Sequence, residues 1–327
     1  KSLHHRGNTP ERSPAYAGVI KQSGHTTGHQ RKGPTMSAIP TVSAGSADSA
    51  DSQARPRIVI AGAGPAAQAL VRQLTRTPFA GAITVLSNRD DAPDELLELA
   101  ALERVSVRFG QPASYIDPDS RYVTTADGLE FSYDQLVIAT GSSPAGAPLA
   151  GEGRCLNYAT IDDAARLGDA VKDVTRVLGR RPLGILVGTG TSAGQAEAVL
   201  RARGVRPIRT TQRPAAVVPT LAGSPLAAAG VVFEDGSSMA GDLVVLAEEP
   251  IARDALAVSA GLKTARQGGI VIGRDFRTSV PGIWAIGDAA VFDGVRLGLL
   301  VAASSAASVC ASQLLQAGLA ETLAEAA

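Results

Sequence analysis

The sequence predicts an α/β protein built from two parallel-sheet units. Three observations carry that expectation. Short aliphatic runs alternate with helical stretches from residue 56 onward. The alternation starts afresh near Leu183. Each start is followed at once by a glycine-rich turn, Gly62-Ala63-Gly64 and then Gly188-Thr189-Gly190. Strands separated by helices pair in parallel, because a tight turn joins only antiparallel neighbours.

The elements follow in order. Arg57–Ala61 is an apolar run of strand length, and Ala66–Thr75 a helix. Ala82–Leu86 is the second strand, 95–103 a helix, and 105–109 the third strand. The segments 121–125 and 129–133 flank the turn Ala126-Asp127-Gly128, a hairpin signal. Residues 136–139 form another buried strand. The theme then restarts with Leu183–Val187 as strand, 193–203 as helix and 207–211 as strand. Residues 231–234 and 243–247 surround a second hairpin turn, Asp235-Gly236. A strand at 283–286 and a helix at 297–315 close the pattern. Residues 1–55 are dense in Ser, Thr, Gly, Pro and Lys/Arg without apolar periodicity, which predicts a disordered extension. Lys1 opens the chain and the first methionine is Met36, so a natural start at Met36 is expected.

Composition excludes several chemistries. Of 327 residues, 31 are Lys or Arg and 31 Asp or Glu, so no basic excess points to nucleic acid. Residues 1–35 carry +5 and the remainder −5. Two cysteines, Cys155 and Cys310, are too few for a disulfide scaffold, a four-cysteine zinc site or an iron–sulfur cluster. All 4 histidines precede residue 30, so the folded body offers no histidine base or ligand. The most apolar stretch, 297–309, is shorter than the ~20 residues of a membrane span, which predicts a cytoplasmic protein.

Chemistry is carried first by Gly62-Ala63-Gly64-Pro65-Ala66-Ala67, set between a strand and a helix. Gly62 makes the tight turn, Gly64 lets a pyrophosphate approach the backbone, and Ala67 permits close helix packing. Pro65 opens a helix whose N-terminus attracts anions. The carboxylate expected after the second strand is missing; Ser87 and Asn88 stand there, and Asn88 is the candidate for the ribose. Gly188, Gly190 and Ala193 repeat the fingerprint as a second dinucleotide site. Its second strand ends at Thr211 without a carboxylate, and Arg213 beyond it suits a 2′-phosphate, leaning towards NADPH.

A third pair of segments sharpens the reading. Ala139-Thr140-Gly141 ends one strand and Gly287-Asp288 ends the last. A carboxylate at a strand's carboxyl end suits the hydroxyls of a ribityl chain.

Across 56–315 these residues resemble the FAD-dependent pyridine-nucleotide oxidoreductases. The segments are RIVIAGAGPAAQAL, YDQLVIATGSSP, YATIDDA, VGTGTSAGQAEAVLRARG, DGSSMAGDLVV, GIVIGRDFRTSVPGIWAIGDAA and GLLVAASSAASVCASQL. They are most similar to the flavoprotein part of NAD(P)H nitrite reductase large subunits, then to rubredoxin and ferredoxin reductases. The resemblance implies two Rossmann-like (three-layer ββα/βα) dinucleotide-binding domains, the FAD domain interrupted by the NAD(P) domain. The expected bounds are 56–148 with 262–316 for FAD, 149–261 for NAD(P), and 317–327 as a tail. FAD is implied at Gly62, Gly64, Ala67, Thr140, Gly141 and Asp288, and NAD(P)H at Gly188 and Gly190.

Departures accompany the likeness. The flavin loop after the second strand is shortened, as is the link from Pro219 to Val231. Gln195 stands where the family usually has Glu, Thr211 where it has a carboxylate, and Ser304, Ser305 and Ala306 where an aromatic–Glu–Gln stretch lies over the flavin. The resemblance implies hydride transfer from NAD(P)H to FAD and on to an external acceptor, such as an iron–sulfur protein. The alternative is a non-catalytic flavin-binding paralogue. Cys310 is expected as a packed core thiol. The acidic cluster Asp90, Asp91, Asp94, Glu95 and Glu98 is expected as a charged helix start rather than a metal site.

Overall fold

In the computed structural model the described residues are 55–145, 148–219 and 229–325, with side chains as far as residue 318. The expected N-terminal extension, save Arg55, and residues 220–228 of the shortened link lie outside them.

The first sheet grows from the first aliphatic runs. Strand β1 (Arg57–Ala61), helix α1 (Pro65–Thr75), β2 (Ala82–Leu86), helix α2 (Asp94–Ala100) and β3 (Val105–Arg108) follow the expected order. Three strands then pair antiparallel: β4 (Ala113–Asp117), β5 (Tyr122–Thr125) and β6 (Glu130–Ser132). The Ala126-Asp127-Gly128 turn joins β5 to β6 as expected; β4 is an addition that the sequence pattern did not suggest. Strand β7 (Gln135–Ile138) returns to lie beside β1.

The chain leaves this sheet through a two-residue strand, β8 (Ser142–Ser143), and builds a second one. Its elements are β9 (Leu156–Asn157), helix α3 (Asp163–Leu178), β10 (Leu183–Val187), helix α4 (Gly190–Ala202) and β11 (Arg206–Thr210). Strands β12 (Pro214–Pro219), β13 (Ala229–Phe233) and β14 (Ser238–Gly241) form an antiparallel sheet, and β15 (Leu243–Leu246) lies beside β10. Strand β16 (Ile251–Ala252) pairs antiparallel with β8. Helix α5 (Ala255–Ser259), β17 (Ile270–Val271), β18 (Ile283–Ala285), β19 (Ala290–Phe292), β20 (Val295–Arg296) and helix α6 (Ala303–Glu325) complete the order. Strand β18 joins the first sheet, whose order is β18-β7-β1-β2-β3; the second is β11-β10-β15-β9. Every pair in these two sheets is parallel.

Several expectations change. The Asp235-Gly236 turn connects β13 to β14, not to 243–247; β15 is a fully apolar run and sits in the parallel sheet, where both faces are covered. The final helix starts at Ala303, because Leu297–Leu299 is a 3-10 turn. It continues to Glu325, through most of the expected tail. Strand β11 stops at Thr210, one residue before Thr211.

Each sheet buries its helices along one apolar stripe. In α1 the buried side chains are Ala66, Ala67, Leu70, Val71 and Leu74, spaced for one helical face. That face meets α6, which offers Ala306, Ala307, Cys310, Ala311 and Leu314. Alanine dominates the contact, so two helices approach closely without bulky aromatic residues. Cys310 is a packed, free thiol whose ionisation is pushed up by burial. In the second unit α3 packs on α4, its Leu167 and Val171 sharing one buried cluster with Ala193, Ala196 and Leu200.

Two polar contacts pin the strands. Trp284, the only tryptophan, donates its indole N–H to Gln135 Oε1 at 2.8 Å within the core, and Arg277 lies 4.8 Å over its ring. Replacing Gln135 by Ala leaves that N–H buried without its partner. We expect Gln135→Ala to lower the unfolding free energy by about 1–3 kcal/mol, read from the Trp284 fluorescence during urea unfolding.

Asp242 accepts both Arg180 amines at 2.8 Å and the Leu183 amide at 2.6 Å, holding the start of β10 beside that of β15. Burial alone would raise its pKa, but the Arg180 fork and the Leu183 amide outweigh burial and lower it. A depressed folded pKa stabilises above the unfolded value and is lost as pH falls through the folded one. Asp242→Asn should therefore cost about 1 kcal/mol at pH 7, and the deficit should shrink below about pH 4 in urea titrations across pH.

Candidate functional site

Parallel strands deliver their carboxyl ends to one edge, and the site residues follow from that rule. Gly62, Gly64, Pro65 and Ala67 follow β1, Asn88 follows β2, Ala139–Gly141 follow β7, and Gly287 and Asp288 follow β18. These four strands are neighbours, so the expected residues of the first unit assemble at one edge. Asn88 stands exposed just past buried Ser87, with no side-chain partner among the described residues.

Gly62 has φ +116°, and a Cβ there would collide with the Ala139 carbonyl. Its amide donates to Leu86 O at 2.9 Å while Ala139 N donates to Ala61 O at 2.8 Å. The turn is thus pressed between β2 and β7, and only glycine fits. Gly64, two residues on, is the N-cap of α1; among the described residues no side chain caps that helix, and a Cβ on Gly64 would meet nothing within 4 Å. Pro65 occupies the first turn, where a missing N–H costs nothing. The result is a helix N-terminus that carries partial positive charge and that no side chain of the described residues caps.

Asp288 lies in a 3-10 turn, Gly287–Ala289, directly after β18. A Cβ on Gly287 would come within 3.0 Å of Ala66 Cβ, so the end of β18 abuts the first turn of α1. Asp288 Oδ2 accepts from Ser142 Oγ at 3.0 Å and faces Arg296 at 3.4 Å; Oδ1 is buried without a hydrogen-bond partner among the described residues. Burial holds the carboxyl above its usual range, against the opposing pull of Arg296 and Ser142. Thr140 donates its hydroxyl to Arg253 O at 2.5 Å, and Arg253 N donates to Gly141 O at 2.9 Å.

The second unit repeats the turn. Gly188 has φ +148°, and a Cβ there would collide with the Ala247 carbonyl. Its amide donates to Thr210 O at 3.0 Å, and Ala247 N donates to Val187 O at 2.8 Å. Buried Ala193 lets α4 close onto the sheet. Gln195 reaches out of α4 to Leu299 O at 2.9 Å and accepts from Tyr158 Oη at 3.5 Å, so it ties α4 to the chain before α6. Arg213 is exposed between β11 and β12, three residues past the strand end.

The sequence pattern missed the residues that fill this second turn. A Cβ on Gly190 would lie 2.8 Å from Glu249 Oε1, and that oxygen accepts the Ser192 amide at 2.8 Å. Arg296, nine-tenths buried, reaches Glu249 Oε2 and Ser192 Oγ, each at 3.1 Å, and Ala159 O at 3.2 Å. Arg209 also approaches Gly188 O at 3.3 Å. The only sequence signal for Arg296 is a lone charge in an apolar run; Glu249 stands three residues past an apolar strand, as Gly141 does in the first unit.

Of the acidic cluster, Asp91 pairs with Arg89 at 2.6 Å and Glu98 with Arg72 at 3.6 Å, while Asp94 and Glu95 begin α2. Ser304 and Ser305 are exposed in the first turn of α6 and Ala306 is buried. Cys155, half-buried, donates its thiol to Glu152 O, and burial pushes its pKa up to about 11. Among the described residues no helix is long and apolar enough to cross a membrane.

Comparison with known proteins agrees with this geometry. The chain is 31% identical over 285 residues to a probable ferredoxin reductase of Castellaniella defragrans, covering 72% of this chain and 68% of that one. It is 29% identical over 218 residues to an assimilatory nitrate reductase electron transfer subunit of Bacillus subtilis, covering 60% of this chain and 28% of the relative. It is 32% identical over 225 residues to the large subunit of a Klebsiella oxytoca NAD(P)H nitrite reductase, covering 60% and 23%. The matched region therefore spans only about a quarter of these last two relatives. A family model described as pyridine nucleotide-disulphide oxidoreductase matches residues 56–206 and 188–307. Two glycine turns of one design, each at the carboxyl edge of a parallel sheet, and a family match across most of the folded body lead to one conclusion: the chain belongs to the pyridine nucleotide-disulphide oxidoreductase family.

Proposed function

We propose that this chain is an FAD-dependent NAD(P)H oxidoreductase that passes electrons to an external acceptor. The family is one of FAD- and NAD(P)H-dependent reductases. A small iron–sulfur protein is the acceptor class supported by the ferredoxin-reductase relative. The reading places the protein in the cytoplasm, where pyridine nucleotides are available.

One observation carries it. At the first sheet's edge, among the described residues, a helix N-terminus without a side-chain cap lies beside a buried carboxylate oxygen without a donor. That pair fits FAD: the helix takes a diphosphate and the Asp288 oxygen accepts from a ribityl hydroxyl. Bound there, FAD supplies a hydride acceptor that can release its electrons onward. Gly62 and Ala67 keep the α1 N-terminus tight on the sheet, and Gly64 leaves it approachable. Asn88 is assigned to the adenosine ribose, and Ala139, Thr140, Gly141 and Gly287 to the neighbouring backbone wall. In the second unit Gly188, Gly190 and Ala193 are assigned to NAD(P)H. Gln195 holds α4 against the chain before α6, and Arg213 is the cation available to a 2′-phosphate. The carboxylate at Gly190 favours the alternative reading, flavin binding without turnover.

The experiment is direct. The purified protein should be yellow, or become so with FAD, and anaerobic NADPH should bleach it faster than NADH. A yellow protein bleached by neither supports the alternative; a colourless protein that cannot take up FAD overturns both. Gly64→Val should weaken FAD binding about tenfold or more, because it fills the diphosphate approach, and should cost only about 1 kcal/mol of stability, because valine is a poorer N-cap than glycine. Fluorescence titration with FAD and urea unfolding measure the two effects. Arg213→Ala should raise the KM for NADPH about tenfold and leave that for NADH nearly unchanged in steady-state assays.

A further inference from the structure

The two units permit an internal comparison. Gly62 corresponds to Gly188, Gly64 to Gly190, Ala66 to Ser192 and Ala139 to Ala247, by sequence position after β1 and β10 and after β7 and β15. On that correspondence Glu249 stands where the first unit has Gly141. Around Gly64 and Gly141 a Cβ would meet nothing within 4 Å among the described residues. Around Gly190 the space holds the Glu249 carboxylate, bonded to the Ser192 amide at 2.8 Å. One helix N-terminus is open; its counterpart carries an anion supplied by the chain itself.

The anion is held from both sides. Arg296 reaches Glu249 at 3.1 Å with one amine and Asp288 at 3.4 Å with the other. It is nine-tenths buried, and its Nη1 has no hydrogen-bond partner among the described residues. A continuous line therefore runs from the α4 amide through Glu249, Arg296 and Asp288 to Ser142. A dinucleotide diphosphate seeks the same things that Glu249 uses: helix amides and a guanidinium. Both anions cannot occupy the place at once.

We propose that Glu249 is a resident stand-in for the diphosphate of a pyridine nucleotide, clamped by Arg296, and that it sets the affinity of the second unit. Nucleotide binding requires the carboxylate to leave Ser192, which frees Arg296 for the diphosphate and releases its hold on Asp288 at the first unit. The inference rests on the proposed NAD(P)H site, and its test separates the two. Exchange of one anion for another at a fixed cationic place makes the site selective for the diphosphate rather than for the base or sugar.

The test is calorimetric titration of wild type, Glu249→Ala and Glu249→Gln with NADH, NADPH, ADP-ribose and adenosine, on flavin-free and FAD-loaded protein. Glu249→Ala should tighten NADH, NADPH and ADP-ribose tenfold or more and leave adenosine, which lacks phosphate, unchanged. Glu249→Gln keeps the shape and the Ser192 hydrogen bond but removes the charge; it should tighten the three phosphate ligands at least threefold, and it decides the matter should the Ala variant not fold. Changes of less than twofold for the phosphate ligands overturn the proposal. So does equal tightening of adenosine, or no binding by any form at millimolar ligand. Failure to take up FAD overturns the flavin reading instead, and the ADP-ribose titration still decides the role of Glu249.

Discussion

A glycine face pressed against a carbonyl oxygen is the contact on which both units depend. Gly62 meets Ala139 O and Gly188 meets Ala247 O, each in a backbone conformation that side chains disfavour. The contact fixes three things together. It forces the helix to begin immediately after the strand, sets the neighbouring strand's end at the same height, and leaves the first helical amides facing outward. Any Cβ would push the turn off the sheet and misplace the helix as well. The same constraint explains why the two units repeat the same small residues at the turn, Gly62 and Gly188, Gly64 and Gly190, Ala67 and Ala193.

Charge is then distributed over that scaffold. Asp288 and Glu249 contribute two carboxylates and Arg296 one guanidinium, in a region where the guanidinium is almost fully enclosed. Paired ions survive burial only with further hydrogen bonds, and here Ser142, Ser192 and Ala159 supply them. The surplus negative charge is balanced by the amino end of α4, a partial positive charge that backbone geometry alone creates. The body performs this with no histidine beyond residue 30.

Much of this was legible because periodicity and glycine placement are local signals. β1, β2 and β10 have the expected bounds, and each glycine turn lies where the strand–turn–helix order put it. The errors have physical causes. Ser238–Gly241 carries one large apolar residue, Met239, so β14 reads as loop and the turn before it points to the next apolar run, β15. Leu297–Leu299 continues without a polar break towards α6, so a 3-10 turn reads as helix. Helix α3 could have been found: Leu167, Val171 and Val174 share one face behind two aspartates. The Asp288–Arg296–Glu249 line was beyond such reading. It joins residues distant in sequence, and only laying the second unit's strand ends over the first exposes Glu249 in the place of a glycine.

The short pair β8 and β16 has a consequence for how the chain reaches this state. Gln135 and Trp284 touch although 149 residues separate them, which is a costly loop to close from an unfolded chain. Ser142 and Ala252 are paired, however, so the whole intervening segment departs and returns at adjacent points. Once that segment has folded, the path from Gln135 to Trp284 shortens from 149 positions to about forty. The zipper of four residues thus lowers the topological complexity of the first sheet. A long insertion becomes, for the sheet that carries it, little more than a turn.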